Sequence, residues 1–155
     1  MNSIHDLILD LLKSNNIEFK YLEHEEVKTS EESAKIRDTK LEQGAKALIL
    51  KGKKSGNNIM VVLPAHKKAN IEKIEQILSE KFEFESPDNI LKKWGIQVGG
   101  VPPFGNLLNL PTYIDKEVLN NDIVVFNCGT RTSSIFMNPK DMVELIKGEL
   151  GEYSL

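Results

Sequence analysis

Apolar residues at Ile4, Leu7, Ile8, Leu11 and Leu12 recur at three- and four-residue spacing behind Ser3, a natural N-cap. This pattern predicts an amphipathic first helix that stops near Asn15-Asn16 and must lay its apolar face on a core. Phe19, Tyr21 and Leu22 predict a short strand, and Thr29 with Glu32 forms a capping-box signature for a helix running to about Arg37. The near-continuous apolar runs Ala45 to Lys51 and Ile59 to Leu63 flank Gly56-Asn57-Asn58, which reads as a β-hairpin of two central strands.

Asn70 is placed to cap a helix whose Ile71, Ile74, Ile77 and Leu78 share one face. Phe82-Glu83-Phe84 alternates like a strand, and Ser86-Pro87 opens a short helix through Lys93 that Gly95 ends. Tyr113-Ile114, Ile123 to Phe126 and Ile135 to Met137 predict further strands, and Asn138-Pro139 opens a last helix carrying Met142, Leu145 and Ile146. Helices and strands intersperse without a βαβ rhythm, so the expected class is α+β, with a mixed, strongly curved, barrel-like sheet surrounded by helices. Residues 1–155 read as one domain, without repeat, linker or low-complexity segment.

Charge and composition narrow the function. A net charge of -3 supplies no global attraction to nucleic acid, so any RNA contact has to rest on a local basic patch. Cys128 is the one cysteine, which rules out an intrachain disulfide and suits a reducing, cytoplasmic setting. The first apolar stretch carries His5, Asp6 and Asp10, so it reads as neither a signal-peptide core nor a membrane span, and no membrane partner is expected. Without a heptad or a long apolar stripe, a monomer is expected.

The familiar catalytic signatures are missing: no Gly-x-Ser-x-Gly elbow, P-loop, Rossmann glycine fingerprint or His-Glu-x-x-His. His5, His24 and His66 lack metal-ligand spacing, so neither a metal nor a cofactor is expected. The most unusual stretch is Gly99-Gly100-Val101-Pro102-Pro103-Phe104-Gly105, which cannot be regular structure. Its amides could polarise a carbonyl or cradle an anion, and a plain Gly-Pro turn is the equal alternative. Lys46 stands in an otherwise apolar strand: facing inward it would need an anionic partner, facing outward it would simply be solvated. Lys51, Lys53, Lys54, Lys67 and Lys68 form basic clusters near the hairpin ends, suited to phosphate contacts or to a solvated rim.

Gly44-Ala45-Lys46-Ala47-Leu48-Ile49-Leu50, Val61-Val62-Leu63-Pro64, the Gly99 to Gly105 loop and Asn127-Cys128-Gly129-Thr130-Arg131 before the Asp141-Met142 helix together resemble, in order and spacing, the YbaK/prolyl-tRNA-synthetase-associated domain family. His24 and the segment Thr29-Ser30-Glu31-Glu32 resemble its N-terminal part. The resemblance implies a trans-editing aminoacyl-tRNA deacylase. Such an enzyme hydrolyses the ester of a small mischarged amino acid (cysteine, alanine, serine or threonine) on tRNA, with tRNA-Pro and prolyl-tRNA synthetase as the implied partners.

Carried over residue by residue, Lys46 and the loop Gly99, Gly100, Val101, Pro102 and Pro103 become the catalytic set. Gly129, Thr130, Ser133, Ser134, His24 and Thr29 become substrate-binding residues, and the lysine clusters become contacts to the tRNA acceptor end. Thr132, Ser133 and Ser134 stand where the cysteine-clearing branch carries an acidic residue, which leaves the amino acid open. The alternative is a non-catalytic module that binds an aminoacyl adenosine or an amino acid and acts through a protein partner.

Overall fold

The computed structural model describes residues 3–155. Five α-helices, α1 (Ile4–Ser14), α2 (Ser30–Arg37), α3 (Ile71–Leu78), α4 (Pro87–Trp94) and α5 (Pro139–Ile146), intersperse with eight strands. These are β1 (Phe19–Glu23), β2 (Ala45–Gly52), β3 (Asn58–Pro64), β4 (Phe82–Phe84), β5 (Thr112–Asp115), β6 (Val124–Asn127), β7 (Ser133–Met137) and β8 (Glu149–Gly151). The α+β class and the central hairpin follow the apolar pattern. No described helix is long and apolar enough to cross a membrane.

The helix starts are set by the side chains the sequence provides. Ser3, Thr29, Asn70, Ser86 and Asn138 each accept a hydrogen bond from a backbone N–H in the first turn, satisfying a donor that has no intrahelical partner. At α2 only half of the capping box forms. Thr29 Oγ1 accepts from the Glu32 amide, whereas Glu32 Oε1 accepts from the Thr29 hydroxyl instead of from its amide.

The single barrel-like sheet is corrected to two sheets. One has the order β1-β7-β6 and is antiparallel throughout; the other has the order β4-β2-β3-β5-β8 and is mixed. Among the described residues they meet in one isolated bridge, Gly44 to Val125, just before β2 begins its pairing with β3 at Ala45. The main core fills the space between them with Ile8 and Leu12 of α1, Met60 and Val62 of β3, Phe126 of β6 and Ile135 of β7. Alternation along β3 sends Ile59, Val61 and Leu63 to a second cluster with Ile74 and Phe82. Burial on both faces explains why β3 reads as a continuous apolar run.

Strand β8 and the extension of β7 back to Ser133 are absent from the apolar pattern. Ser133 and Ser134 are buried despite being weak strand formers, because their hydroxyls find partners in Thr130 and in His24 and Arg37.

Glu85 ties three elements together. Its carboxylate accepts from Asn58 at the start of β3, from the Ser86 amide, and from Asn89 and Lys93 on α4, at 2.9–3.2 Å. Burial alone would raise its pKa, but the hydrogen bonds from Asn89, Lys93, Ser86 and Asn58 outweigh it and hold the carboxyl at about 2. A carboxyl held below its unfolded value contributes stability above that value and loses it as the pH falls toward the folded one. Stability measured by denaturant is therefore expected to drop between about pH 5 and pH 2. Glu85→Gln should cost on the order of 1–3 kcal/mol at neutral pH and flatten that acid limb. An unaltered limb would exclude Glu85 as its source.

Candidate functional site

A narrow cleft with an interior of about 110 Å³ opens where α2, the start of β2 and the Gly99 loop meet. Lys28, Arg37, Lys40 and Lys46 line it together with Ser33, Thr39 and Asn127, and no carboxylate does. On a chain of net charge -3 this is a local concentration of positive charge.

Lys46 lies at the end of the β2 face that carries Leu48 and Leu50, opposite Leu63. It is half-buried, and Nζ donates to the Ala65 carbonyl at 3.3 Å. Burial lowers its pKa below the ordinary lysine value; the charge of Glu31 raises it and that of Lys68 lowers it further. A desolvated ammonium with one neutral acceptor retains donors for a ligand.

The glycine-proline loop is packed. Pro102, Pro103, Phe104 and Gly105 are buried, and Phe104 stacks at a tilt on Phe126 with ring centroids 5.5 Å apart. Gly99 and Val101 line the cleft, and among the described residues their amides have no protein acceptor. The Gly100 amide instead closes a turn on the Gln97 carbonyl at 2.9 Å. Gly100 has no room for a side chain, since a Cβ would sit 2.9 Å from the Thr130 carbonyl carbon. Arg131, which sequence reasoning did not single out, tethers this loop: its Nε donates to the Val98 carbonyl at 2.6 Å and its Nη1 pairs with Glu26 at 2.9 Å.

The other expected residues divide. Thr29 lines the cleft. His24, Gly129, Thr130 and Ser133 line a separate, shallower depression with His5, Tyr21 and Trp94. Gly129, with φ of 79°, is required there by the close approach of α1, because a Cβ would meet Ile4 Cγ2 at 2.7 Å. Ser134 is sealed between the two, its hydroxyl bonded to His24 Nε2 and accepting from Arg37 Nε. Pro102 and Pro103 act from beneath, as packing.

Lys68 is near enough to Lys46 to influence its charge, and Lys67 pairs with Glu117 at 3.8 Å. Lys51, Lys53 and Lys54 lie at the opposite end of the hairpin, roughly 17 Å or more along β2 from Lys46 at about 3.3 Å per residue. There Lys53 and Lys54 face a hollow lined by Glu72, Glu75 and Glu80, which is a poor setting for phosphate. Arg37 is the cleft residue that the sequence pattern hid. Its one signal was an arginine on a helix with almost no apolar face.

The family described as "Aminoacyl-tRNA editing domain" matches residues 24–145. The multifunctional Ser/Thr-tRNA deacylase ProXp-y of Escherichia coli K12 is 29% identical over 150 residues, covering 94% of this chain and 90% of that protein. The prolyl-tRNA editing protein ProX of Acetoanaerobium sticklandii is 26% identical over 144 residues, 90% of this chain and 86% of that one. A crystal structure of a proposed trans-editing enzyme for prolyl-tRNA synthetase superposes with a TM-score of 0.84 at 20% identity, covering 100% of this chain and 99% of that one, which shows a shared fold.

The Arg131 tether makes loop order measurable. Arg131→Ala should speed hydrogen exchange at the Gly100 amide, which bonds the Gln97 carbonyl, by about tenfold or more, while global stability changes by less than about 1 kcal/mol, as for other partly exposed ion pairs. Unchanged exchange would show that Pro102, Pro103 and Phe104 suffice to hold the loop.

Proposed function

The chain belongs to the aminoacyl-tRNA editing domain family, and from that membership we propose that it removes serine or threonine wrongly esterified to the 3′ end of a tRNA, with tRNA-Pro as the first substrate to consider. The observation that carries this reading is the convergence of Lys46 and the acceptor-free amides of Gly99 and Val101 on one small, carboxylate-free cleft.

An aminoacyl ester is already activated, so its hydrolysis needs a placed water or ribose hydroxyl and stabilisation of the developing oxyanion more than it needs a protein nucleophile. In this reading the Gly99 and Val101 amides receive the carbonyl oxygen as it becomes an oxyanion, and Lys46 holds the RNA end beside them. Buried prolines and the Arg131 tether keep the amides aimed, so little reorganisation accompanies the reaction. Lys68, near enough to Lys46 to influence its charge, is the lysine of the basic clusters suited to the acceptor strand.

The preference for serine or threonine follows from the cleft walls. Ser33 and Thr39 offer hydroxyl partners to a side-chain hydroxyl, and the small interior excludes large residues. A site that hydrogen-bonds a substrate hydroxyl rejects an analogue lacking it far better than an apolar pocket separates neighbours by a methylene, which is worth roughly 1–3 kcal/mol. The relative named Ser/Thr-tRNA deacylase supports the same choice.

The test is release of amino acid from tRNA-Pro charged separately with serine, threonine, alanine, cysteine or proline, using isolated protein. Seryl and threonyl esters should be cleaved and the prolyl ester spared. Lys46→Ala should lose about 10- to 100-fold in kcat/KM, the size of a charge-assisted contact to the RNA end. Retained activity in that variant would remove Lys46 from the mechanism. No release from any ester, with RNA binding intact, would instead support a binding module.

A further inference from the structure

Arg37 is only 9% exposed, on the last turn of α2, and carries its charge into the cleft without a counter-ion. Nε donates to Ser134 Oγ at 2.8 Å and Nη2 to Asn127 Oδ1 at 2.9 Å, both neutral acceptors. None of the ion pairs among the described residues involves Arg37, and burial is the one cause acting on its pKa, which falls to about 10 and leaves it cationic at neutral pH. A guanidinium has five N–H groups. Two are engaged, Nη1 has no protein acceptor, and no fully buried polar side-chain atom is left without a partner, so Nη1 meets the open space of the cleft.

The support behind it runs in one direction. His24 Nδ1 lies 2.8 Å from the Glu25 carbonyl, which can only accept, so Nδ1 carries the ring proton. In the neutral ring Nε2 is then an acceptor, 2.7 Å from Ser134 Oγ, and accepts the Ser134 O–H. That leaves Ser134 Oγ to accept from Arg37 Nε. Asn127 is fixed in turn, with Nδ2 donating to the Thr130 carbonyl at 3.1 Å, so that Oδ1 faces Arg37. Buried charge held only by neutral, oriented acceptors is costly alone and favourable once an oxyanion joins it.

We propose that Arg37 is the second cation of the cleft, binding with Lys46 the phosphodiester that joins the terminal nucleoside to an RNA 3′ end, and that Ser134 and His24 are its positioning residues. The proposal rests on the deacylase reading for its ligand. In an aminoacyl ester the carboxylate is consumed and the amine is cationic, so the last phosphodiester is the anion nearest the bond to be broken. A free amino acid's carboxylate offers the same oxyanion chemistry from a different source.

The experiment uses two short RNAs ending in CCA, identical except that the last phosphodiester is native in one and an uncharged methylphosphonate in the other. Each is tested as the seryl ester for hydrolysis and uncharged for binding. Wild type should lose about 10- to 100-fold in KM or Kd with the methylphosphonate, the size of a charge-assisted contact, with kcat little changed. Arg37→Gln should start weaker on native RNA and, with Lys46 still present, lose at least about threefold less than wild type does on the modified one. Arg37→Lys should recover part of the discrimination, and Ser134→Ala should reduce it while His24 and Arg37 remain.

An Arg37→Gln protein that still distinguishes the two RNAs as wild type does would overturn the proposal, as would equal losses on both. If Arg37→Gln does not fold, Arg37→Lys and Ser134→Ala decide, and full discrimination in both would refute it. Inhibition by millimolar free serine that disappears in Arg37→Lys, without RNA discrimination, would assign the site to a carboxylate and also refute it. If wild type hydrolyses neither ester, the deacylase reading fails separately, and the binding ratios still decide the role of Arg37.

Discussion

The joint between α2 and the β1-β7-β6 sheet is made of polar contacts, and the shape of the cleft depends on it. Helix α2 buries only Ser33 and Arg37, so hydrophobic packing does little to dock it. What holds it is the Arg37 guanidinium reaching across to Ser134 on β7 and Asn127 on β6. Hydrogen bonds to a charged group contribute roughly 1.5–3 kcal/mol each, against a desolvation cost of several kcal/mol for the buried ion. The balance is close, so α2 is attached firmly enough to form a wall yet leaves a charge that still gains from a ligand.

The opposite wall is built on the contrary principle. The loop from Gly99 to Gly105 has few backbone bonds of its own and is held by side chains: Pro102, Pro103 and Phe104 sink into the core, and Arg131 grips the Val98 carbonyl from above. Glycine at 100 lets the loop lie against the Thr130 backbone. Proline removes two donors from the loop, and Gly99 and Val101, whose amides have no protein acceptor among the described residues, line the cleft. Rigidity here follows from burial, and the unsatisfied amides are affordable because the cleft is open to water when empty.

Much of this was legible in the sequence wherever one residue type has one job. The caps at Ser3, Thr29, Asn70, Ser86 and Asn138 and the doubly buried hairpin were readable from local pattern. Sheet closure was not, because whether β2 pairs with β6 beyond the Gly44 bridge is a tertiary matter that local pattern does not encode. The site was legible at Lys46 and the Gly-Pro loop, whose compositions are unusual. Arg37 was not, since an arginine at a helix end ordinarily extends into solvent. Only the fold brings it against Asn127 and Ser134, some 90 and 97 positions away. The division of Gly129, Thr130 and Ser133 from the cleft was hidden for the same reason: β7 alternates, so Ser133 and Ser134 face opposite sides of one sheet.

Charge placement then explains how an acidic protein can address a polyanion. The screening length at physiological salt is about 8 Å, so Lys53 and Lys54, beyond the far end of β2 and beside three glutamates, contribute little at the cleft. The Lys28, Arg37, Lys40 and Lys46 group lies within one small enclosure lacking carboxylates, where low dielectric walls strengthen its field. Such an arrangement has room for one or two phosphates, which under the proposed reading are those of the RNA 3′ end. That suits a protein whose chemistry concerns the end of an RNA chain, because recognition confined to the terminus leaves the body of the molecule free for others.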